Sequence, residues 1–335
     1  MNIKEKMING LVAVIIPVYN RAQLLREAVQ SVLAQTYRPI EIIIVDDGST
    51  DSTPVTIGQL VAEYPGTIRV VHKKHSGPGL AREAGRIVSR GEFIQYLDSD
   101  DWLLPRKFEF QVRALRERPE CDIAYCISRL VDFDGNTIVE PAKLTGSKFE
   151  YLFPALLVNR WWYTHTPLFR KSISDRAGAW ANHRPEDWEL EGRMGALRAK
   201  LVYCDVVLSC QRSNPDPNCV SRGPFRKYLL DEAWFLPRLY QYALKAGVGY
   251  DMPEMQFFSK WVFMRARDMG AIGESGKAWE LLRLAKKSSL KVGFKIRSVE
   301  LAVHFFGWKA ISRVYGIAHK LLINNKKYIR YNSSE

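Results

Sequence analysis

From Leu11 to Asp51 the chain reads LVAVIIPVYNRAQLLREAVQSVLAQTYRPIEIIIVDDGSTD, an apolar run, an amphipathic stretch and a second apolar run. The first run closes on Tyr19-Asn20-Arg21 and the second on Asp46-Asp47-Gly48. That order predicts strand, helix, strand, with the polar groups gathered where both strands end. Unbroken rather than alternating apolar runs belong to strands covered on both faces, as in a parallel sheet. In an open parallel sheet the crevice beyond the carboxyl ends of the strands is where ligands bind, since loops there carry the chemistry and the strands hold them still. Residues 17 to 21 and 46 to 51 are therefore expected to line a small-molecule site.

The pattern repeats. Thr67 to His72 is a third short apolar run, followed by HSGPGLAREAGRIVSRGE, which opens with glycines and proline and turns helical. Phe93 to Leu97 is a fourth strand, ending in Asp98-Ser99-Asp100-Asp101. Strands separated by helical stretches predict an α/β, doubly wound half. Pro105 suits the first turn of a further helix reaching about Arg118. Beyond Cys121, residues Ile123 to Phe133, the turn Asp134-Gly135-Asn136 and Thr137 to Glu140 read as a hairpin. A helix is expected from Pro185 to Arg198, a strand from Leu201 to Leu208, and mostly helix from Phe225 onward. The reading divides the chain into residues 1–222 (a half at 10–130 and a second at 131–222) and a helical, basic extension at 223–335.

Composition narrows the function. With 47% hydrophobic and 25% charged residues the chain is an ordinary globular protein. Leu11 to Val18, the long apolar run near the start, falls far short of the roughly 20 residues that cross a bilayer, and Met1 to Gly10 lacks the apolar segment of a signal peptide. Export is not expected, and a cytoplasmic location is. Five cysteines, Cys121, Cys126, Cys204, Cys210 and Cys219, contain no C-x-x-C pair, which points to buried small apolar residues rather than disulfides or zinc. The net charge of +13 is concentrated: twelve of the 49 Lys and Arg lie in 281–335, against Glu300 and Glu335 alone. There Val303, Phe306, Ala310, Val314, Ile317 and Leu321 fall on one helical face, with Lys309, Arg313, His319 and Lys320 beside it. Such a helix suits an anionic membrane surface, at the inner face of the cytoplasmic membrane, or the covering of a core. Nucleic acid is not expected as a partner, because no nucleic-acid motif accompanies the charge.

Two acidic clusters carry the chemistry. Asp98-Ser99-Asp100 at a strand end sets carboxylates side by side, and a cation between them would relieve their repulsion. An oxygen donor set with room for phosphate oxygens suits Mg²⁺ or Mn²⁺, although acidic turns are common. In the second cluster, Asp46 or Asp47 can accept hydrogen bonds from a nucleobase or ribose, while Asp51 and Ser52 suit the cap of the next helix.

The segments Val14-Ile15-Ile16-Pro17-Val18-Tyr19-Asn20-Arg21, Val45-Asp46-Asp47-Gly48-Ser49-Thr50-Asp51 and Leu97-Asp98-Ser99-Asp100-Asp101, in this order over about the first 130 residues, resemble the family 2 glycosyltransferases. The resemblance implies the GT-A fold, a Rossmann-like mixed sheet, and an inverting enzyme that uses a nucleotide-diphospho-sugar, a UDP-sugar first. It implies Pro17, Tyr19 and Arg21 around the base, Tyr19 stacking on its face, and Asp47 bonding it. Asp98 would hold the ribose or help the metal, and Asp100 would bind Mn²⁺ or Mg²⁺, with Asp101 a competing ligand. His75-Ser76-Gly77-Pro78-Gly79-Leu80-Ala81-Arg82-Glu83-Ala84-Gly85 resembles a further family segment, with His75 and Glu83 where Asn is usual; Arg82 is matched and would steady the diphosphate or Asp98. His75 is taken as a loop histidine without a partner.

Displacement at an anomeric carbon also needs a carboxylate on the acceptor side. Arg184-Pro185-Glu186-Asp187-Trp188 resembles the family's Glu-Asp motif at a helix start, which makes Asp187 the base and places Glu186 and Trp188 toward the acceptor, a glycan or lipid-linked saccharide. Acidic residues in a first helical turn also serve as dipole-matched caps. Trp161 and Trp162 are candidates to face a sugar, with core packing as their default. The loop from Gln211 to Ser221 has Asn214 near the place where the family often carries His. The Q-x-x-R-W motif of processive members is absent, which favours one sugar per encounter. Two rivals remain: a catalytically silent nucleotide-sugar-binding protein, and a sugar-phosphate nucleotidyltransferase, which would need a Gly-rich phosphate loop after the first strand where this chain has Pro17-Val18-Tyr19-Asn20-Arg21.

Overall fold

A computed structural model describes residues 6–138, 143–213, 224–289 and 296–311. The chain forms two compact units, the first running to Gly223 and taking in Gln241–Gly247, the second holding Pro224–Tyr240 and the residues from Val248 onward.

The first unit is built on β1 (Ile8–Val18), α1 (Ala22–Leu33), β2 (Ile40–Asp46), α2 (Thr53–Glu63), β3 (Ile68–His72), α3 (Pro78–Val88) and β4 (Gly91–Tyr96). It continues with β5 (Trp102–Leu103), α4 (Lys107–Glu117), β6 (Ile123–Val131), β7 (Leu168–Arg170), α5 (Lys171–Ala177), α6 (Glu186–Ala196) and β8 (Leu201–Arg212). One sheet runs in the order β3-β2-β1-β4-β7-β6-β8-β5. β3, β2, β1 and β4 are parallel; β7 then runs antiparallel to both β4 and β6, and β8 parallel to β6. The result is a mixed α/β sheet of the GT-A type, as the sequence led us to expect.

β1 is central, and every residue from Gly10 to Val18 is buried, which its unbroken apolar run requires. Pro17 sits in this strand in register with Val45. It is tolerated because the missing N–H would point toward β4, whose pairing with β1 ends at Tyr96 and a last bond from the Leu97 N–H to the Ile15 carbonyl. Gly85 lets α3 lie directly on the sheet: a Cβ there would meet Ile15 Cγ2 at 2.5 Å and Val45 Cγ2 at 3.1 Å.

The expected turn at 134–136 forms: Thr137 bridges Val131 in the antiparallel sense and the Ile138 N–H donates to the Leu130 carbonyl, while residues 139–140 of the expected return arm lie outside the described residues. β6 is itself paired on both sides by β7 and β8. Asp132 closes that turn by accepting the N–H groups of Asp134 and Asn136. Cys121, Cys126, Cys204 and Cys210 are buried thiols, as their spacing suggested; Cys219 lies outside the described residues.

The second unit takes α7 (Phe225–Lys245) as far as Tyr240, and holds α8 (Pro253–Ala271) and α9 (Ser275–Ser288). Met255, Phe258, Val262, Ala266 and Met269 of α8 and Ala278, Leu281, Leu282 and Ala285 of α9 are buried, and the Ser259 hydroxyl donates to the Ala285 carbonyl at 2.6 Å. Residues 296–311 are helical. Their buried side chains are Ile296, Val299, Val303, Trp308 and Ile311, whereas Phe306 and Ala310 are exposed. Of the expected apolar face, Val303 is buried while Phe306 and Ala310 are exposed; its continuation at Val314, Ile317 and Leu321 lies outside the described residues. Among the described residues no helix is long and apolar enough to cross a membrane.

Because α3 carries Arg82 on the same helix as Gly85, Gly85→Ala should overpack the α3–sheet seam and lower stability by about 1–3 kcal/mol. A fall in the urea midpoint with an unchanged slope would report it.

Candidate active site

The ends of β1 and β2 are stitched into one surface. Asn20, at φ +52°, donates its N–H to Ser49 Oγ at 3.0 Å and accepts the Thr50 N–H on its side-chain oxygen at 2.8 Å. The Arg21 N–H donates to Thr53 Oγ1 at 2.9 Å. Asp46 accepts the Ser49 N–H, and Asp51 accepts the Thr53 N–H as the cap of α2.

Asp47 organises the loop before α3. Its buried carboxylate accepts the N–H groups of Ser76 (3.1 Å) and Gly77 (2.8 Å) and the Lys73 ammonium (2.6 Å). Gly48 is required here: its φ is +80°, and a Cβ would stand 2.8 Å from the His75 nitrogen of the backbone. His75 is not the partnerless histidine expected. Its Nδ1 lies 3.0 Å from the Asp47 carboxylate, and its ring lies 4.1 Å from the ring of Tyr19, tilted by 31°. Tyr19 keeps 41% of its surface exposed beside it, an aromatic platform at the mouth of the β1 loop. Pro17, by contrast, is buried within its strand.

At the end of β4 the acidic residues divide. Asp98 keeps 29% of its side chain exposed and takes the Arg82 Nη2 donor at 2.6 Å; Asp100 is paired with Arg21. Asp101 is fully buried and accepts from Gln211 Nε2 and the Arg212 N–H at 2.9 Å, with His165 Nδ1 at 3.0 Å. Burial pushes its carboxyl up to about 6, against the pull of His165. Asp101 is therefore no competing metal ligand but a brace between β4, β8 and the segment before β7. Among the described residues no three His, Cys, Asp or Glu side chains group as a metal site. The two open carboxylates Asp98 and Asp100 nevertheless fit a hard cation that takes its remaining ligands from water and phosphate.

Arg82 is the hinge of the arrangement. Buried on α3, it donates to Asp98 and, through Nη1 at 2.8 Å, to Glu186 at the start of α6, and it lies 4.9 Å over the Trp180 ring. Burial opposes its charge, but Asp98 and Glu186 outweigh burial and hold it protonated. The neighbouring Glu83, a charge in place of an amide, is neutralised by Arg86 and also accepts the Trp180 N–H. Gly79 permits the approach: a Cβ there would stand 3.2 Å from Glu186 Cγ and would strike the Ala181 carbonyl.

Asp187, next on α6, faces a different cation. Arg160 Nη1 donates to its Oδ2 at 2.8 Å, Thr164 Oγ1 lies 3.3 Å away, and the Trp188 N–H donates to Oδ1 at 2.7 Å. Burial pushes Asp187 up, but Arg160, Lys143 and Arg82 outweigh it and hold the carboxyl below its ordinary range. Burial and the charge of Asp187 push Glu186 the other way, above the usual carboxylate range. Two adjacent carboxyls are thus driven apart, Asp187 being the one kept ionised. Lys143 is lowered to about 8 by burial and Arg160. Trp188 is tied by its indole N–H to the Leu156 carbonyl at 3.1 Å. Trp161 and Trp162 do not face the site: both are buried in a cluster with Tyr125 and Phe149. Asn214 lies outside the described residues.

Sequence reasoning missed Arg160, Thr164, Lys143 and Trp180. Only one signal was present: Asp187 and Glu191 stand four apart on α6, so two acids on one helical face required a cation from elsewhere.

Residues 13–174 match the model of glycosyl transferase family 2. An uncharacterized glycosyltransferase of Rickettsia prowazekii is 39% identical over 130 residues, which are 38% of this chain and 40% of the relative, so the chain spans well under two thirds of that relative's length. S. aureus TarS 1–349 in complex with UDP-GlcNAc superposes with a TM-score of 0.64 over 97% of this chain and 94% of that one at 14% identity. The mannosyltransferase PcManGT from Pyrobaculum calidifontis, in complex with GDP-Man and Mn²⁺, does so at 0.52 over 95% and 88%, with 15% identity. These likenesses show the fold. Over residues 13–174 the chain is similar to a family 2 glycosyltransferase domain. The family 2 match contains Tyr19, Arg21, Asp47, Arg82, Asp98, Asp100 and Arg160 and ends before α6; Glu186 and Asp187, beyond it, are paired with Arg82 and Arg160 inside it.

Arg82→Lys keeps the charge but cannot serve both carboxylates. The oxygen left without its donor should cost roughly 1–3 kcal/mol, read as a fall in thermal midpoint larger than that of Arg86→Lys, since Arg86 is itself the more exposed arginine.

Proposed function

We propose that this chain is an inverting glycosyltransferase that moves one sugar from a nucleotide-diphospho-sugar to a hydroxyl of a glycan or lipid-linked saccharide. The observation that carries the reading is the continuity of charge from Asp98 through Arg82 to the Glu186–Asp187 pair. Donor-side and acceptor-side carboxylates thereby share one site. The nucleobase would lie on the exposed face of Tyr19, with Pro17, Arg21 and Asp47 around it, as the family resemblance implies. Arg21 and Lys73 supply positive charge beside the diphosphate path. TarS, with UDP-GlcNAc, supports a UDP-sugar as the first donor class to test, and PcManGT with GDP-Man the second.

Asp187 would take the proton of the acceptor hydroxyl as its oxygen bonds to the anomeric carbon. The bond from that carbon to the diphosphate oxygen breaks, and its electron pair leaves with the nucleoside diphosphate. Held ionised by Arg160, Asp187 is ready to accept at neutral pH. Asp98 and Asp100 would hold Mg²⁺ or Mn²⁺, which when bound neutralises charge on the departing diphosphate. Glu186 and Trp188 would border the acceptor.

Release of nucleoside diphosphate from UDP-, GDP- and dTDP-sugars with Mn²⁺ tests the reading. One donor should turn over in the wild type. Asp187→Asn should lower transfer by about 10²–10⁴-fold, and Asp100→Asn should abolish the metal dependence. Binding of a nucleotide sugar without turnover of any donor, whatever the acceptor, would make the chain a silent binder instead.

A peripheral membrane site for this chemistry is favoured by one observation. Leu301, Phe305 and Phe306 are 63%, 75% and 71% exposed, in the chain's most basic stretch. Phe305→Ser with Phe306→Ser should reduce sedimentation with vesicles containing anionic lipid while leaving donor hydrolysis intact; equal sedimentation of the two proteins would remove the membrane from the proposal.

A further inference from the structure

Arg160 is buried, and its three donor positions are all engaged: Nε and Nη2 meet the two oxygens of Glu191 at 2.8 and 2.7 Å, and Nη1 meets Asp187 Oδ2 at 2.8 Å. Glu191 keeps 3% of its side chain exposed and Arg160 6%, whereas Asp187 keeps 21%. The three therefore form a line whose inner end is sealed and whose outer end reaches the site. A fork held on both prongs by one carboxylate has a fixed plane. The third donor of that plane is then aimed, without further freedom, at a residue one helical turn earlier on the same helix.

We propose that Arg160, clamped by Glu191, is the positioning residue of the catalytic carboxylate: it fixes the rotamer of Asp187. This rests on the reading of Asp187 as the base. A purely structural ion pair would need only Glu191, which already satisfies two of the three donors; the contact to Asp187 adds a partly exposed carboxylate to a buried pair. Other groups also face Asp187. Lys143 and Arg82 add positive charge, Glu186 and Glu191 oppose it, and Thr164 offers a hydroxyl. Of these cations only Arg160 touches the carboxylate at hydrogen-bond distance.

The test uses the full chain with its donor and acceptor and measures kcat, KM and the pH dependence of kcat/KM. Arg160→Lys keeps the charge and loses the fork, so kcat should fall about 100-fold with the donor KM unchanged. Replacing the pair together, Arg160→Met with Glu191→Met, removes the buried charges in balance, and such swaps commonly preserve folding. Its kcat should fall at least as far, and the acidic limb of kcat/KM should move up by about 1–3 pH units, because a carboxylate deprived of a cation is protonated at higher pH. Asp187→Asn is measured alongside. If Asp187→Asn is inactive while both Arg160 variants keep the wild-type kcat and pH profile, the clamp is overturned and the base stands. If Asp187→Asn keeps full activity, the base itself has been misassigned. Should the double variant fail to fold, Arg160→Lys alone decides: a wild-type kcat would overturn the clamp.

Discussion

Arg82 is the interaction on which the rest of the site depends. Asp98 comes from the end of β4 and Glu186 from the start of α6, separated from Arg82 by 16 and 104 residues respectively. Neither carboxylate can be brought inward alone, since an ion taken out of water without a partner costs several kcal/mol. A single guanidinium satisfies both, and its own charge persists at any working pH. Gly79 and Gly85 serve this bridge in different ways. One lets the α6 approach close against α3, and the other lets α3 lie low on the sheet so that Arg82 reaches the strand ends.

The first half of the fold was legible because its information is local. β1 and β2 are apolar without alternation, and the polar residues that end them are adjacent in sequence, so strand, loop and site could be read together. Pro17, expected to line the site with residues 17 to 21, lies inside the strand and is buried there, permitted by a β4 that stops early. Asp101 could not be told from Asp100 by sequence. What separates them is direction along the chain, one toward Arg21 and the other into His165, Gln211 and the Arg212 N–H. His75 acquired its partners from Asp47 and Tyr19, residues 28 and 56 positions away, which no spacing rule connects.

The second half was less legible for the same reason inverted. The Glu-Asp pair was found by resemblance, but the arginine that holds Asp187 precedes two tryptophans and reads as a surface cation beside aromatics. Trp161 and Trp162 pack into the core, and that burial is what draws Arg160 inward with them. In residues 296–311 the buried side chains pass from Ile296, Val299 and Val303 to Trp308 and Ile311, and Gly307, at φ +74°, stands between the two sets.

The electrostatics of the site follow from how few cations serve its acids. Asp98, Asp100, Glu186, Asp187 and Glu191 are answered at hydrogen-bond distance by Arg21, Arg82 and Arg160. Each of two guanidiniums is shared by two carboxylates, and in each case the two acids differ in exposure: Asp98 is more open than Glu186, and Asp187 more open than Glu191. Sharing a cation lets the buried acid anchor the arginine while the other stays the more open of the two. Burial raises Glu186 and Glu191 and so makes them tolerant of a proton, whereas Asp187, closest to the surplus of positive charge from Arg160, Lys143 and Arg82, is kept ionised. A site organised this way separates the task of holding geometry from the proposed task of taking a proton. It does so with residues that differ by one methylene and stand side by side on one helix.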